Sequence, residues 1–423
     1  MAYDYLDLQN AEPLQLNDDH EALKKGVRKF AAEVVRPISV ELDRMSAEDV
    51  SRKGSPYWTC MRKAHELGYH TIFIPEEYGG IGLDPLGLHI FFEEMAAGSI
   101  GLAVACGVDV FPTFFANMIM AEYPQLEDLL IKPFVNDRDC SLLGCWAITE
   151  PEHGSDILTP YQAHFHNPKI THQLVGKKDG DDWILNGQKA AWVSNGTTAS
   201  LALVFFGTEP SLGMAGGGIA VADLNHPGVT RGKPLEKIGQ RDLPQGEIYF
   251  DDVRVPKDRI FSLSDSYEQM TDLVLGAANA HMAIMCLGGA RAAFEETLTY
   301  AKERVQGGKL LCEHQDVQRR LAEMFISIEA ARQLSRNVMA YNLWSFPPNT
   351  TYSMASKIYC SRVAFDVAQN AVQIFGGNGL TREYLIEKLF RDITSTRIED
   401  GSNESLTLAV GNEILHGELP YGC

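Results

Sequence analysis

The chain has 423 residues, 45% apolar and 22% charged, and a formal net charge of -19; this suits two or three packed domains and excludes disorder and a nucleic-acid partner, which needs a basic face. Eight cysteines without CxxC pairs or regular spacing argue against a metal site or disulfide framework and predict reduced thiols. No apolar run approaches the ~20 residues of a membrane span, and the acidic N-terminus has neither a basic-then-apolar signal nor an Arg-rich presequence, so a soluble, cytoplasmic protein is expected.

From Asp18 to about Asn136 the pattern is helical. Asp18 or Asp19 caps a segment in which Leu23, Val27, Phe30, Ala31, Val34 and Val35 recur at three and four. A second helix covers Tyr57 to Leu67. Residues 79–85 form a glycine-rich loop that places Pro85 in the first turn of a third helix, through Phe91, Phe92 and Met95. A further apolar helix is predicted from about Asp109 to Glu122.

Between about Asp137 and Arg259, Gly and Pro punctuate short β-rich runs: 174–175, 183–185, 191–193, 201–206 and 248–250. Lys178-Asp179-Gly180-Asp181 reads as a hairpin turn. This predicts a small antiparallel β-domain. After Pro256 long helices return, over Asp265 to Arg304, Glu313 to about Trp344, Tyr352 to Gln373 and Glu383 to Arg397. The third is rich in Ala and Val with few charges, so both its faces should be covered, by partner subunits if not by its own chain. Three domains follow: 1–136 helical, 137–259 β and 260–423 helical.

Four segments carry chemical content. Cys145-Trp146-Ala147-Ile148-Thr149-Glu150-Pro151-Glu152-His153-Gly154-Ser155-Asp156 opens the β-domain and, taken alone, also makes a good structural loop. Lys189-Ala190-Ala191-Trp192-Val193-Ser194 follows about thirty residues on; a strand Trp is most often core. Glu303-Arg304 precedes Gly307-Gly308 and Gln315, and Arg304 alone reads as a solvated helix-end charge. Gln373-Ile374-Phe375-Gly376-Gly377-Asn378-Gly379 is glycine-rich, and Arg391-Asp392 is followed, seven residues later, by Asp400-Gly401-Ser402-Asn403-Glu404.

In this order and spacing the segments resemble the signature of the acyl-CoA dehydrogenase family, over essentially residues 149–404. The resemblance implies a mainly α fold with a central antiparallel, β-barrel-like domain between an N-terminal helical domain and a C-terminal four-helix bundle. It also implies FAD, an acyl-CoA substrate, an electron-transfer flavoprotein as acceptor and a homotetramer. On that match Trp146, Ile148 and Thr149 meet the flavin, and Ser155 serves the cofactor phosphates or the thioester tail. Trp192 and Val193 cover the flavin and Ser194 bonds its N5 edge. Arg304 and Gln315 hold the pyrophosphate and adenosine, often across a subunit boundary, as Arg's planar fork suits phosphate. Gln373, Ile374, Phe375, Gly376 and Gly377 form a further cofactor loop, and Ser402 and Glu404 touch FAD.

Asp400 stands where the family places its base, usually Glu. Proton abstraction α to a thioester needs a buried carboxylate with a raised pKa. Asp is one methylene shorter, so its oxygens fall short by roughly 1 to 1.5 Å, and a displacement of that order costs about a hundredfold unless the pocket compensates. Glu399 and Glu404 are the other carboxylates nearby; counting from Arg391-Asp392 favours Asp400. Leu275-Gly276-Ala277-Ala278 closes the alternative of a base on that helix, and Ala278 stands where the family often has Arg. Leu275, Ala278 and Gly401 are expected against the substrate.

Asp109 reads either as a helix cap or as a second catalytic carboxylate in the acyl pocket, suited to a 1,4-elimination. Asp-based family members act on alicyclic acyl groups, so an alicyclic or branched substrate is expected. The alternatives are a nitroalkane-oxidase-like enzyme of the same fold, against which Thr407 and Ala278 count, and an inactive flavin-binding homologue.

Overall fold

The computed structural model describes residues 16–121, 123–160, 162–344 and 348–416; most of the N-terminal stretch read for targeting, and Glu122, lie outside the described residues. The chain opens with α1 (Asp18–Phe30), which runs through one π-helical turn (Ala31–Val35) into α2 (Arg36–Leu42). The cap is Asn17 rather than Asp18 or Asp19. Its Oδ1 accepts the His20 amide at 2.8 Å while His20 Nδ1 accepts the Asn17 amide, which leaves the two aspartates in the first turn, where the helix dipole favours them.

There follow α3 (Ala47–Ser51), α4 (Pro56–Glu66), α5 (Pro85–Gly98), α6 (Ile100–Asp109), α7 (Phe111–Ile119) and α8 (Lys132–Val135). Asp84 caps α5, accepting the Gly87 amide at 2.7 Å, with Pro85 at its first position. The single helix expected from Asp109 onward is two. Asp109 ends α6, and α7 begins at Phe111 with Pro112 in its first turn, a residue that cannot continue the α6 hydrogen-bond ladder.

The middle of the chain forms one eight-stranded sheet from β1 (Gly144–Ala147), β2 (Val175–Asp179), β3 (Asp182–Lys189), β4 (Leu201–Gly207), β5 (Gly217–Asp223), β6 (Val229–Arg231), β7 (Ile248–Val255) and β8 (Ile260–Ser262). Most pairings are antiparallel, but β1 and β2 both lie parallel to β4. The hairpin turn is where it was expected, with Asp179 opposite Asp182 and Gly180 at φ +63°.

Residues 191–193 are not a strand. Just beyond them Asn195, at φ +62°, donates to Ala105 O and Gly144 O and accepts from the Tyr57 hydroxyl. These tertiary bonds draw the chain off the sheet toward the N-terminal helices.

The C-terminal part comprises α9 (Tyr267–Glu303), α10 (Gln315–Trp344), α11 (Thr350–Phe375), α12 (Ile386–Ser395) and α13 (Asn403–His416), the last not foreseen. Helix α11 is covered by α9, α10, α12 and α13 of its own chain. Two stretches, Ile100–Ile119 (α6 with α7) and α9, are long and apolar enough by composition to cross a membrane, contrary to the expectation that none exists. Both are mostly packed inside the molecule. The seven cysteines among the described residues are free.

The helical parts are joined by buried ion pairs on α5. Glu94 accepts two bonds from Arg291 of α9 (2.8 and 2.6 Å) and two from Arg28 of α1, and Glu93 accepts from Arg332 of α10 at 3.0 Å. Burial works against the Glu94 carboxylate, but the Arg291 and Arg28 charges outweigh it and hold the group below its ordinary range. Glu94→Gln removes the buried charge that Arg291 and Arg28 share, leaving Arg291 only the more distant Glu93 and Glu295, and should cost about 3 kcal/mol, read as a lower denaturant midpoint; an unchanged midpoint would show that the pair contributes nothing net.

Candidate active site

A cavity of about 560 Å³ lies where the three parts of the chain meet. One wall is helical and apolar: Phe73, Phe92 of α5, Val104 of α6, Phe111 of α7, and Met282 and Met285 of α9. The opposite wall is polar: Thr149 and Ser155 from the loop after β1, Ser194, the 236–240 loop, and Glu399, Asp400 and Gly401 after α12.

Asp400 sits in a turn that few residues tolerate. Its φ is +52° and that of Gly401 is +98°, a strain that persists only where surrounding structure enforces it. The fixing group is Lys357, buried on α11, whose ammonium donates to Gly401 O at 2.7 Å and to Asn403 Oδ1 at 3.0 Å. Asp400 lines the cavity and is partly buried. Burial pushes its carboxyl up to about 7, with the neighbouring Glu399 charge adding to the rise and Lys357 opposing it. Glu399 is also raised, first by burial, and is held by Gln240 Nε2 at 2.8 Å. A carboxylate poised near neutrality is what proton abstraction requires.

The loop after β1 is fixed by a fully buried pair. Lys189 at the end of β3 donates to Ile148 O at 3.1 Å and to Glu150 Oε1 at 2.7 Å, and Glu150 also accepts the Gln173 and Leu174 amides. The Ala190 amide bonds Thr149 O. Ser155 Oγ accepts the Ser402 amide at 2.9 Å, tying this loop to the Asp400 turn.

The 236–245 loop reaches the cavity because α12 holds it. The Gln240 amide donates to Asp392 Oδ1, and Arg391 donates to Ile238 O and to Asp43 at the end of α2. A Cβ at Gly239 would lie 2.2 Å from Arg391 O, so only glycine permits this approach. Lys388 sits between Asp392 (2.5 Å) and Asp242 (3.6 Å), and Asp242 in turn accepts from the Ser39 and Ser99 hydroxyls.

The residues expected to meet a flavin fit that role unevenly. Trp146, Ile148, Thr149, Ser155, Trp192 and Ser194 all line the cavity. Trp192 is 59% exposed, and the buried Trp146 Nε1 has no partner, so an open aromatic face and an unpaired donor await a planar, hydrogen-bonding group. The Val193 side chain instead packs into the sheet core. Ser402 caps α13 by accepting the Ser405 amide, and Glu404 is exposed in its first turn.

Arg304 ends α9 and Gln315 begins α10, both exposed and outside the cavity wall. Gln373 is exposed; Ile374 and Phe375 face inward, and the Phe375 ring stacks on Tyr300 at 4.0 Å. Gly376 and Gly377 present open backbone. This group lies roughly 27 Å along α11 from Lys357, so it does not share one ring edge with Asp400.

Two substrate-side expectations need correction. Leu275 is packed in the core and only Ala278 and Gly401 reach the cavity. Asp109 neither starts a helix nor faces the pocket. Its neighbours Gly107, Val108 and Phe111 line the wall, while its carboxylate points away, accepting the Gly144 amide at 2.8 Å and pairing with His65 Nε2 at 2.8 Å. Burial would lower His65, but the Asp109 charge and bond push it up to about 11, so the two form a structural ion pair. Lys237, Gln240, Gln245 and His281 line the cavity without having been singled out from sequence.

Three sequence models of one family match the chain: the acyl-CoA dehydrogenase N-terminal domain over residues 17–121, its middle domain over 145–253 and its C-terminal domain over 270–415. The short-chain specific mitochondrial acyl-CoA dehydrogenase of Rattus norvegicus is 29% identical over 96% of this chain and 92% of its own. Among solved structures, butyryl-CoA dehydrogenase from Megasphaera elsdenii superposes with a TM-score of 0.82 at 28% identity, covering 95% of this chain and 99% of that one. A chain described with the electron transferring flavoprotein of Acidaminococcus fermentans does so with a TM-score of 0.82 at 27% identity, covering 95% and 99%.

Lys189→Met leaves Glu150 buried without its counter-charge. It should cost about 3 to 5 kcal/mol and free the Ile148–Thr149 backbone, seen as a lower unfolding midpoint together with faster amide exchange at Ala190.

Proposed function

The chain belongs to the FAD-dependent acyl-CoA dehydrogenase family, and from that premise we propose that it desaturates the α,β bond of an alicyclic or branched acyl-CoA with Asp400 as base. The observation that carries this reading is the Asp400 carboxylate, held in a strained turn on the cavity wall with its carboxyl pushed up to about 7.

Asp400 takes the α-proton. The bound flavin supplies the acceptor for the hydride that leaves the β-carbon, and a C=C bond forms. Thr149, Ser155 and Ser194 offer the short polar groups that a buried flavin edge needs. The helical wall binds the acyl group and excludes water. Lys357 keeps the Asp400 turn in place throughout.

The shorter base favours a bulkier acyl group, which brings its α-carbon nearer the polar wall. Gly107 and Ala278 put small residues on the helical wall, where Met285 packs against Gly107. The 1,4-elimination entertained for Asp109 loses its second carboxylate, because that group is paired with His65 outside the cavity.

The electron acceptor we propose is an electron-transfer flavoprotein, in keeping with the Acidaminococcus fermentans match. The assembly we propose is a homotetramer in the cytoplasm, with Arg304, Gln315 and the Gln373–Gly377 segment serving the cofactor of a neighbouring subunit. Exposed Ile326, Leu380, Leu408 and Leu415 support a covered surface on these helices.

Anaerobic mixing with straight, branched and cyclohexane-carboxyl-CoA thioesters tests the reading: ring or branched thioesters should bleach the visible flavin band fastest, whereas bleaching by nitroalkanes alone would replace it with the oxidase. Asp400→Asn should retain FAD and lose flavin reduction by at least a hundredfold; full activity would remove Asp400 from its role. In the parent protein the base must be ionised, so the reduction rate should rise with pH through about 7 and level off above it. Glu399→Gln removes the adjacent like charge and should move that rise to lower pH.

A further inference from the structure

The apolar, helical wall of the cavity contains a polar side chain, on α9, that the reaction does not use. His281 lies in the middle of α9 and lines the cavity with Phe73, Phe92 and Met285. Its Nδ1 is 2.7 Å from Ala277 O. A carbonyl can only accept, so Nδ1 carries the hydrogen and Nε2 is a bare acceptor. Nε2 is buried and has no partner.

The surroundings do not provide one. Phe73 and Phe92 stand edge-on to the imidazole at 5.0 and 5.1 Å, and Met282 and Met285 continue the same wall. Burial pushes the imidazole down to about 4, against only the Ala277 bond, so at neutral pH it offers a lone pair and no charge. An apolar side chain such as those of its neighbours would fill this position without the penalty of an unmet acceptor. Of the two rings packed on His281, Phe92 is fully buried, whereas Phe73 is only partly so and itself lines the cavity. His281 itself lines the cavity, so a ligand held there lies against the imidazole.

We infer that His281 is a specificity-determining residue whose Nε2 accepts a hydrogen bond from a hydroxyl on the acyl group of the substrate. This rests on the acyl-CoA reading above and narrows it: the preferred thioester is a hydroxylated one, with the hydroxyl on the part of the acyl group that reaches the Phe73 and Phe92 wall. A site built to pair such a group discriminates against the analogue that lacks it, since the acceptor is then left unpaired.

The test compares matched pairs on the FAD-loaded protein: hexanoyl-CoA against its 4-, 5- and 6-hydroxy derivatives, and cyclohexanecarboxyl-CoA against its 3- and 4-hydroxy derivatives. Binding is measured by calorimetry and flavin bleaching is followed separately. At least one hydroxylated thioester should bind about tenfold or more tightly than its parent. In His281→Leu that ratio should fall to about one, whatever the change in affinity for the parent thioester itself. The thermal midpoint and FAD content of His281→Leu should not fall, which separates lost recognition from a misfolded pocket.

No preference for any hydroxylated thioester, as when a buried water alone serves Nε2, overturns the inference. So does a preference that survives in His281→Leu, or a panel in which nothing binds. Hydroxyl-dependent binding without bleaching by any thioester would sustain the role of His281 and defeat the dehydrogenase reading instead.

Discussion

The buried ammonium of Lys388 on α12 is the point on which the arrangement of this molecule depends. It is drawn between Asp392 of its own helix and Asp242 of the sheet-borne loop, and Asp242 also accepts hydroxyls from Ser39 and Ser99 of the N-terminal helices. One cation thereby fastens three separately built parts of the chain. A buried charge left unpaired is far more costly than the pair is favourable, so the three parts meet in one register or not at all. From that register follow the bond from the Gln240 amide to Asp392, the contact of its side chain with Glu399, and the placing of Asp400 at the cavity wall.

The cavity inherits its division of labour from this assembly. The polar wall comes from loops, where backbone amides and carbonyls are free to be shared between segments, as in the Ser402 amide on Ser155 and the Lys357 ammonium on Gly401. The apolar wall comes from helices whose own backbone is satisfied, so only side chains face the space. A carboxylate on the first wall is kept near neutrality by enclosure and by a like charge beside it. Asp109, equally enclosed, is turned away from the cavity and bonded to His65 and to the Gly144 amide behind the second wall.

What could be read from the sequence was what local chemistry decides. Pro85 after Asp84 marks a helix start, Gly180 marks a hairpin, and apolar spacing marks α1. The unusual Asp400 was legible because it sits between fixed landmarks. What failed was decided at a distance. Asn195 is pulled from the sheet by Ala105, Gly144 and Tyr57, none near it in sequence. The direction of Asp109 depends on His65, forty-four residues earlier. The 236–245 loop has neither period nor motif, and its place comes from α12. His281 is masked in sequence because the middle of α9 is buried on every side, so no exposed face marks out a polar residue there.

The bond between Ser155 and Ser402 joins the loop after β1 to the turn that carries Asp400, whereas Phe92, Gly107 and Met285 rest on α5, α6 and α9 and Phe73 on the segment between α4 and α5, with no hydrogen bond from these four to that turn among the described residues. The reacting groups and the groups that choose the acyl chain thus stand on separate supports. Substitutions of cavity-facing side chains on the helical wall that spare Ser39, Ser99 and the buried ion pairs leave the bonds of the Asp400 turn intact, so the substrate range of such a protein is free to drift over evolutionary time while its reaction stays the same.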